Sequence, residues 1–135
     1  MKAKVFVSGS RAVKELDIIV KNFLSCAVEE GWEVLVGDCY GVDSLVQDYL
    51  KSKNYNNVTV YHVGNRPRYA VEGFNVIRVN TAYGLSPREY YTQKDIAMTN
   101  DADFGYIVWD GSSKGSLANK NRLESQGKRA IVYRV

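Results

Sequence analysis

The stretch that most constrains this chain is Asp103-Phe104-Gly105-Tyr106-Ile107-Val108-Trp109-Asp110-Gly111-Ser112-Ser113-Lys114-Gly115-Ser116. Its first half is rich in aromatic and β-branched residues and apolar on both faces. Such a strand needs cover on each side, as a central parallel strand between two helix layers has. The run then breaks into Asp-Gly-Ser-Ser-Lys-Gly-Ser, and helix formers resume at Leu117. A buried strand, a small-residue loop and a helix start can cradle a phosphate or a ribose. Glycines let the backbone approach, free N–H groups at the helix start point at the ligand, and hydroxyls add donors. Asp110 falls at the strand end, where it could accept from sugar hydroxyls. The competing reading is an ordinary βα turn capped by Ser116.

The rest of the chain repeats the pattern. Lys4 to Val7 reads as a first strand, ended by Ser8-Gly9-Ser10-Arg11. Leu16, Ile19, Val20, Phe23, Leu24 and Ala27 recur at helical spacing, and Gly31 supplies a stop. Trp32 to Val36 is the second strand, followed by Gly37-Asp38-Cys39-Tyr40-Gly41. A helix follows through Val42, Leu45, Val46, Tyr49 and Leu50, then a third strand from Val58 to Tyr61. Residues 62–85 lose regularity, and Arg66, Pro67, Arg68, Gly73, Arg78 and Gly84 punctuate them. They read as an arm inserted after the third strand, either covering a sheet edge or closing over a ligand.

Ser86-Pro87-Arg88-Glu89 combines a serine N-cap, proline at the first helical position and a glutamate that completes a capping box. That helix is expected to reach about Asn100, with Tyr91, Lys94, Asp95 and Met98 close to one face. After the Phe104–Trp109 strand come a helix from Ser116 to Gln126 and a last strand from Arg129 to Tyr133. Repeated βα units pair in parallel with right-handed crossovers. The expectation is one α/β domain over residues 1–135, a three-layer Rossmann-like doubly wound parallel sheet of about five strands. Ligands of such sheets lie at the carboxyl ends of the strands, where strand order reverses. If the first strand is central, that crevice lies between Ser8–Arg11 and Asp110–Ser116.

Three loops would then share one rim. They offer Ser8, Gly9, Ser10 and Arg11, then Gly37, Asp38, Gly41 and Asp43, then Asp110, Gly111, Ser113, Gly115 and Ser116. Amides and Arg11 suit a phosphate, and the acids suit ribose hydroxyls. The loops match neither the P-loop nor Gly-x-Gly-x-x-Gly. A net charge of +3 is mild: it permits an anionic small molecule and argues against nucleic acid as a partner. The lone His62 and the separated Cys26 and Cys39 give no metal spacing and no thiol–imidazole pair, so no metal or other cofactor is expected. No apolar run reaches membrane-spanning length and no signal-peptide pattern opens the chain. The expectation is a cytoplasmic protein with free thiols and no membrane contact; a homo-oligomer is compatible with it.

The succession Val-Ser-Gly-Ser-Arg, Val-Gly-Asp-Cys-Tyr-Gly-Val-Asp, Lys-Asp-Ile-Ala-Met ahead of Ala-Asp, and Trp-Asp-Gly-Ser-Ser-Lys-Gly-Ser resembles the SLOG superfamily. These are Rossmann-like domains related to DNA-processing protein A and to the "lonely guy" phosphoribohydrolases. The chain looks nearest to the small YspA-like, YpsA-related group of bacteria and phages. The resemblance implies a nucleotide or nucleotide-derived ligand over the first and fourth strand ends. It places Gly9, Ser10 and Arg11 in the first binding loop and Gly37, Asp38, Gly41 and Asp43 in the second. Gly111, Gly115 and Ser116 match the Gly-Gly-x-Gly-Thr loop of the hydrolases. Those enzymes carry a glutamate three positions after that loop's last residue, where this chain has Asn119. An amide is neither nucleophile nor general base near neutral pH. Catalysis would need another carboxylate, Asp38, Asp43, Asp95 or Asp110, with Asp95 the leading candidate. Its alternative role is a solvent-facing i,i+4 partner. The readings in order are a sensing or sequestering nucleotide-binding domain, an N-glycoside hydrolase or transferase, and a DNA-associated module.

Overall fold

The computed structural model describes residues 2–135. The strands are β1 (Lys4–Gly9), β2 (Glu33–Gly37), β3 (Val58–His62), β4 (Asn75–Arg78), β5 (Phe104–Trp109) and β6 (Arg129–Arg134). The helices are α1 (Ile18–Glu30), α2 (Val42–Ser52), α3 (Pro87–Asp101) and α4 (Lys114–Ser125). All strands pair in parallel in the order β4-β3-β2-β1-β5-β6. The chain therefore builds outward from β1 to β4, then returns to the other side of β1 with β5. Strand order reverses between β1 and β5, as a central first strand requires.

Alternation along the buried strands produces the three layers. Val5, Val7, Val34, Val36, Val58, Val60, Tyr106 and Val108 face α1 and α2, with Leu24, Val46 and Leu50 among their partners. Phe6, Leu35, Tyr61 and Ile107 face the opposite way, onto Met98 of α3, Ala102 at its C-terminal cap and Leu123 of α4. Both faces are covered, so these strands read as continuous apolar runs. The Phe23 and Tyr106 rings stack in the first layer, 3.8 Å between centroids and 7° apart in plane.

The sheet has six strands where the sequence reading has about five. The extra strand, β4, lies inside the 62–85 arm. Asn-Val-Ile-Arg carries only two apolar residues, and all four residues are exposed at the sheet edge. With neither face buried, no hydrophobic pattern marks it; backbone pairing to β3 defines it. The arm is tied down by side chains of the second loop and α2. Fully buried Gln47 donates to the carbonyls of Gly37 and Tyr69 and accepts from the Val71 amide at 2.9 Å.

Helix boundaries follow local chemistry. Asp17 caps α1 through the Val20 amide, and Gly31 closes it in the left-handed region. Ser86 and Glu89 form the expected capping box with Pro87 in the first turn. Ser86→Ala is expected to cost about 1 kcal/mol, read as a shifted urea midpoint at unchanged slope. The last helix begins two residues earlier than expected: its cap is Ser113, whose Oγ accepts from the Ser116 amide, and not Ser116. Among the described residues no helix is long and apolar enough to cross a membrane.

Candidate functional site

A cavity of about 410 Å³ opens where strand order reverses. Its walls come from the first loop (Ser8, Gly9, Ser10, Arg11), from Asp43 of α2, from Asp95 of α3, and from Asp110, Ser113, Gly115, Ser116 and Asn119 around the start of α4. Phe6 and Met98 give it an apolar floor. Such a volume, part apolar with a few convergent polar groups, falls in the usual range for small-ligand sites.

The loops between β1 and β5 organise each other. The Ser10 amide donates to the Val108 carbonyl, and Ser10 Oγ accepts from the Asp110 amide. Asp110 Oδ1 accepts from the amides of Ser112 and Ser113, both at 2.9 Å. These donors, the Ser112 amide first, hold its carboxyl below the usual range. Asp110 thus shapes the loop that delivers α4. In that first turn Ser113 Oγ takes the Ser116 amide, which leaves the amides of Lys114 and Gly115 without an intrahelical partner beside the cavity that Gly115 and Ser116 line. Gly115 stands open: a Cβ there would meet nothing within 4 Å.

Lys94 is the residue the sequence reading missed. Only 5% exposed, it reaches into the cavity wall and pairs with Asp95 Oδ1 at 2.8 Å. Burial works against its charge, but Asp95 and then Asp43 outweigh that and raise its pKa. Asp43 is buried beside it and accepts from the Cys39 amide. Burial pushes the Asp43 carboxyl up to about 6, against the pull of Lys94. The signal for Lys94 was available: it stands four and eight residues before Met98 and Ala102, on the buried stripe of α3. Asp95 accordingly is not a solvent-facing i,i+4 partner; it is half-buried against its neighbour.

Four predicted ligand contacts lie outside the cavity lining. Asp38 is buried and occupied by Arg68, which donates from Nη2 at 2.8 Å, from Nε at 3.3 Å and from its amide at 2.8 Å. Burial alone would raise its pKa; the Arg68 bonds and charge outweigh burial and lower it. The Arg68 guanidinium in turn stands 4.4 Å from the centroid of the Tyr91 ring. Gly37 is small because a Cβ there would sit 2.5 Å from Asp43 Oδ2 and 3.1 Å from Lys94 Nζ. Gly41, at φ 98°, lets the second loop close on the Arg11 backbone, and Gly111, at φ 89°, faces the Arg134 guanidinium. Cys39 of the same loop does line the cavity, half-buried, with its thiol pKa raised by burial. Asn119 is buried, donating to Ser8 Oγ at 3.3 Å and accepting from Arg122 Nη1 at 2.7 Å.

Neither a family model nor a curated protein sequence matches the chain. Among solved structures, DNA processing protein A from Helicobacter pylori, described for its single-stranded DNA binding mode, aligns with a TM-score of 0.67. The fold is Rossmann-like. The alignment covers 96% of this chain and 64% of that one at 13% identity, so the likeness is one of fold. The chain spans less than two thirds of that protein's length.

Proposed function

We propose that this chain is a SLOG-like domain that binds a phosphorylated nucleoside or a nucleotide-derived signal, in a sensing or sequestering role. One observation carries the reading: the loops after β1 and β5 and the starts of α2 and α4 converge on one cavity at the reversal of strand order. Amides at the start of α4 and Arg11 suit a phosphate. Ser8, Ser10, Asn119 and the carboxylates of Asp43 and Asp95 suit sugar hydroxyls and base edges.

A second reading, cleavage of an N-glycosidic bond, is favoured by Asp43. It lines the cavity with a carboxyl raised to about 6, in reach of proton transfer near neutral pH. It displaces Asp95, whose carboxylate is engaged by Lys94, as the leading acid. Asp38 and Asp110 are already engaged by Arg68 and by loop amides. Asn119, hydrogen-bonded at both ends of its amide, has no acid–base chemistry to offer.

The test is prolonged incubation with nucleoside monophosphates, reading free base by chromatography. No free base is expected from the native chain. Base release at an enzymatic rate, lost by a factor of about 100 or more in Asp43→Asn, would establish the second reading instead. Asn119→Glu sharpens the comparison. Base release created by that change, absent before it, would mean that the geometry is that of a hydrolase lacking only its carboxylate.

A further inference from the structure

Outside the cavity mouth lies a second basin of about 550 Å³, between α3 and the start of α4. The two share Arg11, Cys39, Lys94, Asp95 and Gly115, so they form one continuous surface. Their charges differ. The cavity is lined by two cations, Arg11 and Lys94, against three carboxylates, Asp43, Asp95 and Asp110. The basin is lined by five cations against the single carboxylate of Asp95. Two of those five are already neutralised, Lys94 by Asp95 and Arg68 by Asp38. Arg11, Arg88 and Lys114 are exposed and, among the described residues, belong to no ion pair.

Three uncompensated cations beside a cavity that is itself net acidic divide the ligand in two. The cavity, with hydroxyls, carboxylates and an apolar floor, fits the uncharged part of a nucleoside. The positive charge waits outside, spread over a space larger than one phosphate needs. We propose that the ligand carries at least two phosphoryl groups, as a nucleoside diphosphate or a pyrophosphate-linked conjugate does, held over Arg11, Arg88 and Lys114. This rests on the nucleotide reading above and names the ligand class within it. Arg88 and Lys114 come from the first turns of two different helices, so the basin sets the spacing of two anions and not only their sum.

The experiment is calorimetric titration of the whole chain at low and moderate salt, against the nucleoside, monophosphate and diphosphate of each common base. Inorganic phosphate, pyrophosphate and an oligothymidylate are added as separate arms. The diphosphate of the preferred base is expected to bind at least about tenfold tighter than its monophosphate. Arg88→Gln and Lys114→Gln should each remove that advantage while leaving nucleoside affinity unchanged. Equal affinity for mono- and diphosphate, unaffected by either substitution, overturns the inference and leaves the nucleotide reading standing. Pyrophosphate binding sensitive to both substitutions, with no nucleoside bound, supports the basin and overturns the nucleotide reading. Oligothymidylate bound tightly where diphosphates are not would assign the basin to nucleic acid and overturn the inference. Absence of binding in every arm overturns both.

Discussion

Gly115→Trp is expected to abolish nucleotide binding, by a factor of 100 or more on a rough scale, while the protein melts no earlier than the native chain. The reasoning separates fold from site. Gly115 lies in the first turn of α4, is exposed, has no left-handed backbone angle, and leaves open space where a Cβ would be. Nothing in the fold asks for glycine there. A helical glycine costs about 0.5–1 kcal/mol relative to alanine, so Gly115→Ala should be neutral or stabilising. What the missing side chain preserves is room at the mouth of the cavity and access to the α4 amides. Titration with the preferred nucleotide and thermal melting of the same samples check both halves. Native-like affinity in the tryptophan variant would place the ligand elsewhere.

Lys94→Met should be the most destabilising single substitution at the site, and its cost should depend on pH. Lys94 pairs with Asp95 and offsets the charge of Asp43 in the cavity wall, and removing a buried partner leaves charge uncompensated at about 3–5 kcal/mol. Burial raises the Asp43 carboxyl from its ordinary 3.8 to about 6 in the folded chain. It binds a proton more readily folded than unfolded, so its ionisation opposes folding. Its favourable contribution is complete below the lower value and is lost as pH rises through about 6. Without the Lys94 charge the folded value moves higher still, and the loss extends further up the pH scale. Urea unfolding is therefore expected to show a larger deficit for the variant at pH 8 than at pH 5. Adding Asp43→Asn should return part of the stability at pH 8. A deficit independent of pH would mean that packing of the lysine stem, and not its charge, holds this wall together.

The fold was legible because its determinants are local and periodic. Phe104–Trp109 announced a strand buried on both faces, and Ser86-Pro87-Arg88-Glu89 announced a helix start; both stand where the residues placed them. β4 was not legible, since an exposed edge strand of four residues carries no burial signature. The cavity was legible in outline, because a reversal at the first strand brings the β1 and β5 loops together whatever their sequences. Which of the acids after β2 faces it was not. Asp38 and Asp43 stand five residues apart on one loop and helix, yet one is spent on an arginine thirty residues away and the other lines the cavity. That partition depends on Arg68, whose pairing no local pattern encodes. The place of Lys94 on the buried side of α3 was legible from its spacing to Met98; its pairing with Asp95 inside the wall was not.

The position of β1 between β2 and β5 also bears on how the molecule comes together. Its pairing with β2 joins Lys4 to Glu33, while its pairing with β5 joins Val5 to Phe104. Synthesised from its N-terminus, the chain has β1 to β4 in hand long before β5 exists, so the far edge of β1 stays open and Phe6 lacks part of its cover. The distant pairing is the entropically costly one and closes late. The cavity lies along that seam. A ligand held there grips only the completed molecule, and by mass action opposes reopening at the join that forms last.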